Sequence, residues 1–132
     1  MVKKALPEAK VLAAALEAQD AAAVAFALRN DTVVVPLLPV AGPGQVRVFR
    51  APGSDLYTLL LFSSAENYAA MLPKEKNLRV LLYGRAQLTE FLEKHLDTLQ
   101  AVWFDVAGPH PMQADPLELL TALTLSGDDP GS

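Results

Sequence analysis

The sequence predicts an α/β (α+β) fold: one domain with a mixed central sheet of about five strands, helices on its flanks and a helical N-terminus. Three observations carry that expectation. From Leu56 onward a strand-like run is followed by a helix-like run three times over, the order that layers helices on a sheet. Between Thr32 and Phe62, β-branched and apolar runs are separated by Pro and Gly clusters, as hairpin turns require. Before Asn30 the chain is rich in alanine and keeps helical spacing.

Pro7 and Glu8 open the first helix, in which Val11, Leu12 and Leu16 recur at helical intervals. Asp20 caps a second, "AAAVAFALRN", which Asn30 and Asp31 stop. In "TVVVPLLP" the prolines Pro36 and Pro39 keep the strand from a central position, so an edge strand or one that ends early is expected. "AGPG", residues 41–44, is a turn, and "QVRVFR" alternates Val46 and Val48 with Arg47 and Phe49 as a half-exposed strand does. After the turn "APGSD", the run "LYTLLLF", residues 56–62, is almost wholly apolar; a strand covered on both faces, at the centre of the sheet, explains it.

Ser63-x-x-Glu66 has the form of a capping box, which starts a short helix running to Pro73. "LRVLLY", residues 78–83, reads as another buried strand and leads through Gly84 into a helix. There Leu88, Phe91, Leu92 and Leu96 form an apolar stripe, and Glu90 and Lys94 pair on the wet side. "AVWFDV" is the last strand. Asp115-Pro116-Leu117-Glu118 then reads as N-cap, proline at the first helical position and acid at the third, so the final helix runs from Leu117 to about Leu125. The domain spans residues 1–132, of which 126–132, "SGDDPGS", form a frayed tail.

With 132 residues, 52% of them hydrophobic and 20% charged, the chain can bury a real core and is too apolar to be disordered. Its charges are spread too evenly for a membrane span. Fifteen acidic against eleven basic side chains give a net charge of −4, and the basic cluster Lys74, Lys76 and Arg79 is short, so no nucleic-acid partner is expected. Cysteine is absent, which removes disulfides, thiol nucleophiles and thiolate metal sites. Near the N-terminus Glu8, Lys10 and Glu17 interrupt the apolar run that a signal peptide needs, so a cytoplasmic protein is expected.

The stretches "LYTLLLFSSAENYAAM", "LRVLLYGRAQLTEFLEKH" and "AVWFDVAGPHPMQADPLELLTAL" together resemble the N-terminal domain of the SseB family of bacterial proteins. In that family a strand ending in Phe-Thr-Ser opens a helix, and a strand ending in Asn-Pro-Gly leads to the final helix. Here Ser63 stands where Thr is usual, and Asp105-Val106-Ala107-Gly108 replaces the Asn-Pro-Gly turn. The resemblance covers nearly the whole chain and implies a small bacterial cytoplasmic domain whose biochemical role is poorly defined.

Two kinds of function compete. A small serine hydrolase would use Ser63 or Ser64 as nucleophile, His110 as base and Asp105 to orient it, all three types following strands. Against it, the Gly-x-Ser-x-Gly elbow is missing and Ser63 already has a capping role. A non-enzymatic interaction or scaffold domain would instead use exposed aromatic or charged groups: Trp103, Tyr68, Tyr83, His110 and Arg47 are the candidates. Burial in a two-sided sheet is the plainer expectation for each aromatic. The strand from Val46 to Arg50 offers an edge that could pair with a partner strand or a second copy of the chain. No cofactor is implied, since "VAGPGQV" lacks the spacing of a phosphate loop, and no metal, since His95 and His110 lie on separate elements without ligand spacing. The Gly-Pro-His-Pro turn, residues 108–111, is read as architectural, with Gly108 at positive φ.

Overall fold

In the computed structural model, residues 9–38, 45–50, 52–76 and 78–124 are described. The helix opening at Pro7 and Glu8, Pro39, the 41–44 turn and the 126–132 tail lie outside the described residues. Alanine-rich sequence forms α1 (Lys10–Glu17) and α2 (Ala21–Asn30). Leu12, Ala15 and Leu16 are the buried face of α1, whereas Val11 points to solvent because a helix this short has one inward stripe. Asp20 caps α2 as expected, its Oδ1 accepting from the N–H groups of Ala22 and Ala23 at 3.0 and 3.2 Å.

The mixed α+β class is as the patterning predicts, but the described strands divide into two sheets rather than one, and a further strand at Met112–Ala114 follows the one expected to be last. β1 (Val33–Leu37) pairs antiparallel with β4 (Arg79–Tyr83). The larger sheet has the order β2 (Val48–Phe49), β3 (Tyr57–Leu61), β5 (Leu99–Phe104), β6 (Met112–Ala114), with β3 and β5 parallel and the outer pairs antiparallel. Isolated bridges, Val34 to Phe62 and Leu37 to Val46, join the two. Proline explains the division. Val34 exchanges both backbone bonds with Phe62, and further along the Pro36 carbonyl accepts from Arg47 while Leu38 donates to Gln45. By alternation the Pro36 nitrogen faces that same side, where it has no proton to offer, so the ladder is broken between the two bridges.

Alternate residues of the strands fill two cores. Val33 and Val35, Leu59 and Leu61, Val102 and Phe104 meet Leu12, Leu28, Leu88, Leu92 and Leu123 of the helices in the main core. Val34, Leu60 and Phe62 point the other way, toward Tyr68 of α3 (Ala65–Met71) in a smaller cluster. This places β3 between strands and covered on both faces, which is why its sequence is continuously apolar. β4 corrects the expectation of another buried strand. Leu81 and Leu82 are 45% and 39% exposed, because β1 lies on one side of β4 and no described strand lies on the other. The segment expected to be an edge is paired in part: Gln45 and Arg47 are bonded to β1, while β2 is bonded to β3 alone among the described strands and stands at the edge of the larger sheet.

α4 (Arg85–His95) begins at Gly84, whose N–H is held by Gln87 Oε1 at 2.7 Å, and buries Leu88 and Leu92 with Phe91 and Leu96 half-buried beside them. α5 (Pro116–Thr124) starts at Asp115, whose Oδ2 accepts from the N–H groups of Leu117 and Glu118 at 3.1 Å each. At its other end the carbonyls of Ala122 and Leu123 accept from Arg29 and Arg85, cations placed where a helix C-terminus favours them. Since one carboxylate oxygen satisfies two orphan donors, Asp115→Ala should lower stability by about 1 kcal/mol. A thermal midpoint equal to that of the unaltered chain would refute the cap.

Candidate functional site

Leu61 and Phe104 are register partners in the parallel pair β3 and β5, so the residues that follow them emerge side by side at the carboxyl ends of both strands. Just past these ends stand Ser63, after Phe62, and Asp105, next to Phe104, 3% and 4% exposed. Asp105 Oδ1 accepts from the Ser63 N–H at 2.7 Å, and Oδ2 accepts from the Ser63 hydroxyl at 2.6 Å. The Asp105 N–H donates to the Leu61 carbonyl at 2.9 Å, its own carbonyl accepts from Gly108, and the Ser63 carbonyl accepts from Ala9. The clasp therefore ties β3, β5, the 105–108 turn and the entry to α1 together. Asp105 sits at φ 48°, a left-handed conformation that aspartate and asparagine tolerate better than other side chains.

Ser63 is thus not the cap of α3. Ser64 is, its Oγ accepting from the Asn67 N–H at 3.1 Å. In a Ser-Ser pair the capping pattern is readable but ambiguous by one residue, and the parallel strand decides it by placing a carboxylate beside the first serine. Asn67 turns its side-chain amide toward the Ser63 Oγ at 3.4 Å.

An open cleft of about 430 Å³ lies against this clasp, lined by Ser63, Asn67, Asp105 and His110 together with Leu16 and Glu17 of α1. The structure brings Ser63 and Asp105 into contact and sets the half-buried His110 on the same cleft, while Ser64 is engaged in the helix cap. In a serine triad the carboxylate orients the imidazole and the imidazole takes the serine proton. Here both carboxylate oxygens accept from Ser63 itself. Asn67 and Glu17 were missing from the sequence-derived candidates. Asn67 is signalled only by its place three residues after the capping serine, and Glu17 by nothing local.

Of the candidate interaction residues, Tyr68 is a correction. It is 1% exposed, with its ring 5.2 Å from that of Phe62, because α3 turns this one large side chain into the smaller core. Its hydroxyl accepts from Arg47 Nη1 at 3.1 Å. Arg47 is likewise occupied within the fold: it forks onto both Glu75 carboxylate oxygens at 3.0 Å and lies over the Phe49 ring. The Glu75 bond holds the guanidinium more firmly protonated than usual, and the Arg47 bond holds the Glu75 carboxyl below its ordinary range. Burial pushes the Tyr68 phenol up, against the pull of Arg47. Trp103 is half-buried against the smaller core and Tyr83 against the main one. His95 packs at a tilt against Phe91, ring centroids 4.4 Å apart. Among the described residues no three His, Asp or Glu side chains gather as a metal site, and no helix is long and apolar enough to cross a membrane.

No curated protein matches the chain. The family model of the SseB protein N-terminal domain matches residues 8–120, from the residues before α1 to the middle of α5, and so takes in the Ser63–Asp105 clasp and every strand. A match over that much of the sequence decides its membership: the chain belongs to the SseB protein N-terminal domain family.

Proposed function

We propose that the chain is a non-enzymatic protein-interaction or scaffold domain working in the bacterial cytoplasm. The observation that carries this reading is the outer side of β4, where Leu81 and Leu82 stand exposed on a strand that, among the described residues, pairs with β1 alone. Such an edge recruits a strand, since main-chain bonds supply affinity and alternate side chains supply selectivity. The net charge of −4 favours a protein partner over a nucleic acid, and Glu75, in the middle of the basic cluster, is bonded to Arg47. A photoreactive residue in place of Leu82, with the chain expressed in bacterial cytoplasm, should give discrete cross-linked adducts; one in place of the exposed Glu93 on α4 should give none. Adducts from neither position, or equally from both, would sink the reading.

The hydrolase reading keeps one observation in its favour, that Ser63, Asp105 and His110 border the same cleft. It requires hydrolysis of a generic ester that both Ser63→Ala and His110→Ala abolish in folded protein.

A further inference from the structure

We infer that the partner of β4 is a second copy of the same chain, paired antiparallel about a twofold axis at Leu81. The inference rests on the interaction reading above and names its partner. Val34 bonds to Phe62, and Pro36 and Leu38 to the Gln45–Arg47 segment, so the backbone groups of Val33, Val35 and Leu37 face β4. Their register partners are Tyr83, Leu81 and Arg79. Alternation then leaves the N–H and C=O groups of Val80 and Leu82 directed outward.

This pattern is self-complementary. With the axis at Leu81, Val80 of one copy lies opposite Leu82 of the other, each such pair exchanges both of its backbone bonds, and Leu81 meets Leu81 across the closer, non-bonded position. The charge pattern agrees: Arg79 falls opposite Tyr83 rather than opposite another arginine, and no charged residue lies between Val80 and Tyr83. Edge strands that stay single are commonly blunted by a bulge, a proline or an inward charge. β4 has no proline, its one charged residue, Arg79, stands at its first position, and its pairing with β1 runs without a register shift. Pairing would join β1, β4 and their symmetry mates into one four-stranded antiparallel sheet and cover Leu81 and Leu82 together. A contact built on one short strand is small, so association is expected at high micromolar concentration.

Sedimentation of the full chain from about 1 μM to about 1 mM tests this. The expected result is a mass rising from 14.2 kDa toward twice that value. Leu82→Pro removes an outward donor without touching a bond to β1 and should hold the chain at 14.2 kDa throughout. Leu81→Lys places like charges on the axis and should do the same, and mixing it with Leu81→Glu should restore a dimer containing one of each. Because Leu81 is partly exposed, this pair keeps the test valid if the proline variant does not fold. An unaltered chain that stays at 14.2 kDa overturns the proposal, as does a dimer indifferent to both Leu81 variants. A monomer that still gives adducts from position 82 would defeat self-association alone and leave the interaction reading standing.

Discussion

Asp105→Ala is expected to be among the most destabilising single substitutions outside the cores, at about 3 kcal/mol. Removing the carboxylate leaves the Ser63 N–H and hydroxyl without acceptors at a site that is 3% exposed, and each orphaned buried donor costs about 1–3 kcal/mol. Alanine is also strained at φ 48°, by about 1 kcal/mol. Two further variants separate these causes. Asp105→Gly relieves the backbone and keeps the orphaned donors, so it should recover only the smaller part. Asp105→Asn tolerates the left-handed conformation and still offers an oxygen to the Ser63 N–H, so it should cost about 1 kcal/mol. Urea unfolding with an unchanged slope is the measurement. If Asp105→Ala lies within about 0.5 kcal/mol of the unaltered chain, the clasp is not what joins the ends of β3 and β5.

Gly108→Val should cost about 1–3 kcal/mol, well above His110→Ala, which should stay near 0.5 kcal/mol as loop substitutions usually do. The sequence suggests positive φ as the reason for Gly108. The structure gives another: among the described glycines positive φ belongs to Gly53, and in this turn it belongs to Asp105. A β-carbon on Gly108 would lie 3.3 Å from Asn67 Nδ2 and 3.4 Å from both Asn67 Cγ and Asp105 Cβ. Glycine is needed because the turn passes close to the side chains around the clasp. Valine adds two branches to that crowded point, and Asn67 cannot retreat without losing its approach to Ser63. Thermal midpoints of the two variants check the ranking. The reverse order, or an ester hydrolysis lost by His110→Ala with the fold intact, would show that the Gly-Pro-His-Pro turn carries function.

Local chemistry accounts for what was legible. Asp20 and Asp115 cap helices in the structure as their positions predict, because capping involves donors two and three residues away and nothing distant. The two-sided burial of β3 follows equally from its unbroken apolar run. Where a second local reading fits equally well, the expectation fell on the other one: the cap on Ser63 where the structure uses Ser64, and "LRVLLY" as a buried strand where Leu81 and Leu82 stand exposed.

The sequence by itself determined the α+β class, the order of the helices and of every described strand but β6, and the caps of α2 and α5, since each depends on periodicity or on residues close along the chain. Tertiary structure alone decided which serine meets Asp105, forty-two residues away, and that Arg47 and Tyr68 are bound to each other within the fold. It also decided that Leu81 and Leu82 of β4 stand exposed while the segment leading into β2 is bonded to β1. These depend on which strands become neighbours, and neighbour choice is set by burying two apolar faces at once and by the missing Pro36 donor, neither of which is a property of any single segment.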